Sequence, residues 1–168
     1  MKKIMSLTLA AALLIAGLTA CAGGKEHKQV DLAAFAKSLQ EKYEFAAYLS
    51  EMTPDYEYFE EDVDRTLPGL LDMDLEQRVL LMTMININNG EIDLIQAKDA
   101  GDAAKAAEIL QARVDYMAGD GETPGGAWYP GPTELWLNHA QVVTHGNYVM
   151  LVVGEECNQI VEEFNALF

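Results

Sequence analysis

Apolar residues recur along this chain with two different periods. Leu32, Phe35, Ala36, Leu39 and Tyr43 return at steps of three and four, the spacing that stacks side chains on one helix face. Asp31 precedes them as an N-cap, so a first helix is predicted from about Asp31 to Phe45. Thr53-Pro54-Asp55 is a second start signal, with Pro54 suited to a first helical position. It opens an acidic segment to about Arg65, with Tyr56, Tyr58, Phe59 and Val63 interleaved, and predicts a short helix that Leu67-Pro68-Gly69 ends. Arg78 to Ile87 is apolar on both faces, as a buried strand is. Asn88-Asn89-Gly90 then supplies a hairpin turn, because Asn and Gly tolerate positive φ, and Glu91 to Ala97 returns as a second strand. From Asp99 to Met117 the helical period resumes in Ala103, Ala106, Ala107, Leu110, Val114 and Met117. Ala118 to Thr133 holds five Gly and three Pro and predicts a long irregular loop. Asn138 to Thr144 and Tyr148 to Gly154, separated by His145-Gly146-Asn147, predict a second hairpin. A last helix follows from Glu155, with Cys157, Ile160, Val161, Phe164 and Leu167 on its apolar face. Two hairpins with interspersed helices predict an α+β fold: a mainly antiparallel four-stranded sheet with helices packed on it.

The front of the chain obeys different rules. Lys2 and Lys3 precede an apolar run from Ile4 to Ala16, and small residues lead to Cys21. This is the make-up of a secretory signal peptide, too short for an ordinary membrane span of about 20 apolar residues. Leu18-Thr19-Ala20-Cys21 resembles the lipobox of bacterial lipoproteins. That resemblance implies cleavage before Cys21 and a diacylglyceryl thioether on its sulfur, and two acyl chains anchor a protein stably where one does not. Residues 1–20 are thus expected to be a signal peptide, 21–29 the lipidated cysteine with a flexible polar stalk, and 30–168 a single α+β domain. The expected location is the extracytoplasmic face of the cell membrane.

The 168 residues carry 11 Lys and Arg against 27 Asp and Glu, a formal charge of −16. Such acidity excludes a nucleic-acid partner, since affinity for polyanions comes from Lys and Arg releasing counterions from phosphates. It also repels anionic headgroups, so the body should stand off the bilayer on its stalk. With Cys21 lipidated, Cys157 has no partner for an internal disulfide, and its place on an apolar stripe predicts burial.

Beyond the lipobox, a series of short segments occurs in one order. These are Leu70-Leu71-Asp72-Met73-Asp74-Leu75-Glu76; Glu91 to Asp99 (EIDLIQAKD); Gln111-Ala112-Arg113; and Gly146 to Val153 (GNYVMLVV). Together they resemble a family of small bacterial lipoproteins, domain of unknown function 4358, over about residues 30 to 168. The resemblance implies an extracytoplasmic lipoprotein and brings no catalytic residues with it.

Candidate chemistry is sparse. Trp128, Tyr129 and Trp136 cluster in and after the Gly/Pro-rich stretch, and flat aromatics on a shaped loop suit sugars, peptides or a partner protein. The competing reading folds both tryptophans back as a lid over the sheet. Asp55, Glu57, Glu60, Glu61, Asp62 and Asp64 crowd one segment, followed by Asp72, Asp74 and Glu76, but without the Gly-containing Ca²⁺ loop pattern. A solvated acidic face is the expectation. His139 and His145 stand too far apart along one strand to share a metal, and His27 lies in the stalk. Ser38 and Ser50 follow the leader outside any nucleophile motif. No catalytic residue, metal ligand or cofactor site is expected. The leading expectation is therefore a tethered binding module, its partner an envelope protein, a peptide or a glycan. The alternatives are a glycan-directed hydrolase using a carboxylate pair and a structural subunit of an envelope complex.

Overall fold

The structure, a computed structural model, describes residues 29–83, 90–120 and 125–168. The expected signal peptide, Cys21, most of the stalk with His27, the end of the predicted first hairpin strand and the Asn88-Asn89 turn lie outside these residues. Among them the order is α1 (Leu32–Lys42), α2 (Glu44–Ala47), β1 (Ser50–Glu51), α3 (Phe59–Thr66), β2 (Leu75–Met82), β3 (Glu91–Ala97), α4 (Ala100–Ala118), α5 (Pro130–Asn138), β4 (Ala140–His145), β5 (Tyr148–Val153) and α6 (Cys157–Asn165).

The strands form one antiparallel sheet in the order β1-β2-β3-β5-β4. The α+β class and both hairpin pairings stand as read from the sequence. The strand count does not: the sheet has five strands. The fifth, β1, pairs Ser50 with Met82 and Glu51 with Leu81 at the edge. Two exposed residues have no periodicity to announce them, so this strand exists only through its partner.

Helices cover both faces. Val79, Leu81, Ile92, Leu94, Met150 and Val152 point to one side, where they bury against α1 and α6. Leu80, Met82, Ile95, Ala97, Val149, Leu151 and Val153 point to the other, against α3, α4 and Trp136 of α5. A strand covered on both faces needs no polar alternation, which is why β3 and β5 are buried along their whole length.

Two stretches depart locally from the predicted elements. The first predicted helix is broken at Tyr43, whose backbone is extended (φ −110°, ψ 125°) between α1 and α2; its ring is buried and its hydroxyl bonds Glu163 of α6. The expected loop through Thr133 instead becomes helical at Pro130. The two prolines that favoured a loop are compatible with this start, because first-turn N–H groups have no intrahelical acceptor and a fixed φ suits a helix entry. Elsewhere boundaries agree within a few residues, with Asp99 capping α4 through hydrogen bonds from the N–H groups of Gly101 and Asp102.

Candidate functional site

β3 runs Glu91-Ile92-Asp93-Leu94-Ile95-Gln96-Ala97, and its odd-numbered residues face α4. Glu91 and Asp93 are therefore carried onto a core face by strand geometry alone, at 2% and 0% exposure. Arg113 of α4 meets them. It donates from Nε to Glu91 Oε1 (3.2 Å) and from Nη2 to Oε2 (2.8 Å), a two-point ion pair with side chains 11% and 3% exposed. The guanidinium also lies over the Trp136 ring, 5.3 Å from its centroid, so the indole beneath it is both core filler and cation–π partner.

Asp93 completes the cluster. Among the described residues neither of its oxygens receives a hydrogen bond, and the Glu91 carboxylate is the charge that acts on it most strongly. Burial pushes the Asp93 carboxyl well above its ordinary value of 3.8, and the charge of Glu91 pushes the same way, against the pull of Arg113. Burial and the neighbouring Glu91 charge thus both favour the neutral form of Asp93, beside the Glu91 that Arg113 holds. Burial works against the Arg113 charge, but Glu91 outweighs it and the guanidinium stays protonated.

Above this base a cavity of about 420 Å³ opens, reaching Met52, Tyr56, Asp62, Arg65, Met82, Tyr116 and Trp128. Two of the chain's three arginines line it, each with an acid: Arg113 with Glu91 at the base, and Arg65 with Asp62 in a solvent-exposed pair on α3. The charges of the described lining cancel. Tyr116 and Trp128 also wall a second, more open hollow of about 470 Å³.

The segment 125–129 that carries Trp128 is fastened to the end of α4. Gly126 N–H donates to Tyr116 O (2.8 Å) and Ala127 N–H to Met117 O (3.2 Å). A side chain at Gly125 would run into the backbone of Tyr116, Met117 and Gly119, so the approach requires glycine. Trp128 itself has φ +60°, and is the one non-glycine residue with positive φ among the described residues. It is nonetheless 76% exposed.

No family model, curated protein or solved structure matches the chain. Geometry alone therefore defines its site.

The three aromatic candidates read from the sequence part company. Trp136 is sealed at 1% exposure in the core and forms the cavity floor, its indole N–H without an acceptor. Trp128 stands at the rim. Tyr129 is exposed and stands at the N-cap of α5, outside the cavity lining. Of the acidic cluster, Asp62 reaches the cavity while Glu60 and Glu61 belong to the first turn of α3. His145 stacks on Phe168 (4.2 Å between centroids) and His139 ends α5. Cys157 is buried, its sulfur accepting from Gln141 Nε2 (3.3 Å).

Sequence reasoning passed over Glu91, Asp93 and Arg113. A signal was available for each. Ala103, Ala106, Leu110, Arg113 and Met117 keep the three-four spacing, which makes Arg113 a core-facing position. Glu91 and Asp93 share a face with Ile95 and Ala97 in a strand with no polar side to give them.

Proposed function

We propose that this protein is a lipid-anchored module of the extracytoplasmic membrane face that binds a ligand or partner in the cavity beside Trp128 and performs no chemistry of its own. The cavity carries the reading: a strained, solvent-exposed tryptophan stands over a largely buried, two-point ionic base. Positive φ costs a bulky residue about 1–3 kcal/mol, and exposing the indole forgoes its burial. Folding gains nothing from either, whereas recognition gains from both. The signal segment and lipobox, and the resemblance to the lipoprotein family, support the location.

The hydrolase alternative draws little from the one buried carboxyl pair. Glu91 has both oxygens committed to Arg113, and Asp93 is fully buried, so neither carboxyl is free to act on a glycosidic bond as a retaining or inverting pair must. A role as an assembly subunit has one supporting observation, the exposed Tyr116, Trp128, Tyr129 and Leu137 on and between α4 and α5.

Mass spectrometry of the N-terminal peptide of the native protein tests the anchoring. The expected species begins at a diacylglyceryl-modified Cys21. A Met1 start with an unmodified Cys21 thiol overturns the location.

A further inference from the structure

The ligand class is set by what the cavity offers and withholds. Among the described residues its two acids and two arginines are already paired with one another, so they leave no net charge to hold an anion or a cation. The main chain around Trp128 is engaged as well: Tyr116 O and Met117 O accept from Gly126 and Ala127, Trp128 N–H donates to Gly125 O (3.2 Å) and Tyr129 N–H to Ala127 O (2.7 Å). An extended peptide binds through a run of free backbone donors and acceptors, and this wall presents none of these groups to it. What remains are flat aromatic faces, Trp128 and Tyr116, beside a polar rim whose Asp62–Arg65 pair is exposed and weakly held. The matching ligand has an apolar face and a hydroxylated edge, and carries no charge.

We propose that the cavity takes an uncharged saccharide, one ring face lying on the Trp128 indole and hydroxyls meeting the Asp62–Arg65 pair. A pyranose presents axial C–H groups on its face and hydroxyls at its edge. An exposed aromatic ring covers the first. A carboxylate that accepts and a guanidinium that donates serve the second, since each hydroxyl can do either. The largely buried Glu91–Arg113 pair, joined by two hydrogen bonds, keeps the base of the site from collapsing when the ligand leaves. The proposal rests on the binding reading above and narrows it to one chemistry.

The test is calorimetric titration of the full chain in a zwitterionic, sugar-free detergent. The probes are neutral trisaccharides (maltotriose, cellotriose and triacetylchitotriose), a capped alanine tripeptide and trigalacturonate. At least one neutral trisaccharide should bind saturably. Trp128→Ala should weaken it by about tenfold or more, Trp128→Phe should recover most of the affinity, and Asp62→Asn should weaken it by a smaller factor. Tyr48→Ala, an exposed tyrosine that lines a separate hollow with Glu44 and Phe45, should leave it unchanged. Thermal unfolding of each variant shows that the fold persists. Tripeptide or trigalacturonate binding that depends on Trp128, with no neutral sugar bound, overturns the ligand class and leaves the binding module standing. Neutral sugar binding that survives Trp128→Ala overturns the site. No binding by any probe overturns both readings.

Discussion

The two faces of the sheet solve the same packing problem with different materials. Toward α1 and α6, β3 presents Ile92 and Leu94, and the polar Gln96 on that side is met by a neutral amide, Gln77, which also donates to Val30 O and accepts from Leu32 N–H. Toward α4, the same strand presents Glu91 and Asp93 and buries a guanidinium against them. Apolar side chains of similar volume would pack the second face at no desolvation cost, and replacing a buried ion pair with them is often neutral or stabilising. The charged face is the one that opens into a cavity, and the amide face is closed by helices along the middle of the sheet. The β3 residues of the described structure thus carry charged groups on the face beside the cavity and a neutral amide on the other.

The contrast is broken most severely by removing one partner of the buried pair. Arg113→Met leaves the Glu91 charge without compensation, and should cost about 3–5 kcal/mol in denaturant unfolding. A loss under about 1 kcal/mol would mean the pair is solvated and the floor is not dry.

Asp93→Asn tests the buried Asp93 carboxyl by pH. In the unfolded chain the Asp93 carboxyl ionises near its ordinary value of 3.8, but in the fold only well above it. Between these limits the folded state binds the extra proton, so its contribution is full below the unfolded pKa and is lost as pH rises, by up to about 1.4 kcal/mol per unit. Asn holds no proton to lose. Unfolding free energies of wild type and Asp93→Asn, measured from pH 4 upward, should therefore diverge in favour of Asn as pH rises. Parallel curves would place the Asp93 carboxyl among ordinary ionised groups.

On the opposite face, Ile92→Val should cost about 0.5–1.5 kcal/mol with no pH dependence of its own, as deletion of one buried methylene does. The smallest effect is expected at the rim. Trp128→Gly removes the penalty of positive φ and exposes nothing that was buried, so stability should hold or rise by up to about 1 kcal/mol while ligand binding is lost. A marked destabilisation would make Trp128 a packing residue.

How far these features could be read from the chain depended on whether their cause was local. Asp99 as a cap and the helical stripe of α4 are statements about neighbours in sequence, and both were legible. So was the second hairpin, whose turn needs Gly146 at φ +61°. The edge strand β1 was not, because its two residues become a strand only by pairing with Leu81 and Met82. The aromatic cluster was legible as a composition but not as an arrangement. Trp128 and Trp136 are eight residues apart, and it is the helix starting at Pro130 that turns Trp136 inward and leaves Trp128 at the rim. The ionic floor was hidden for a similar reason: Glu91 and Arg113 come from separate elements, and nothing near either in sequence names the other.

The chain has two tryptophans, and they report on the two roles separately. Fluorescence titration of wild type and Trp128→Phe with the neutral trisaccharides is the most direct test of the account. A saturable change in emission in wild type that disappears in Trp128→Phe, whose remaining tryptophan is the sealed Trp136, is the predicted result. An unchanged response in Trp128→Phe, or no saturable response in wild type, would contradict the claim that this face of the sheet is built as a floor beneath a binding site.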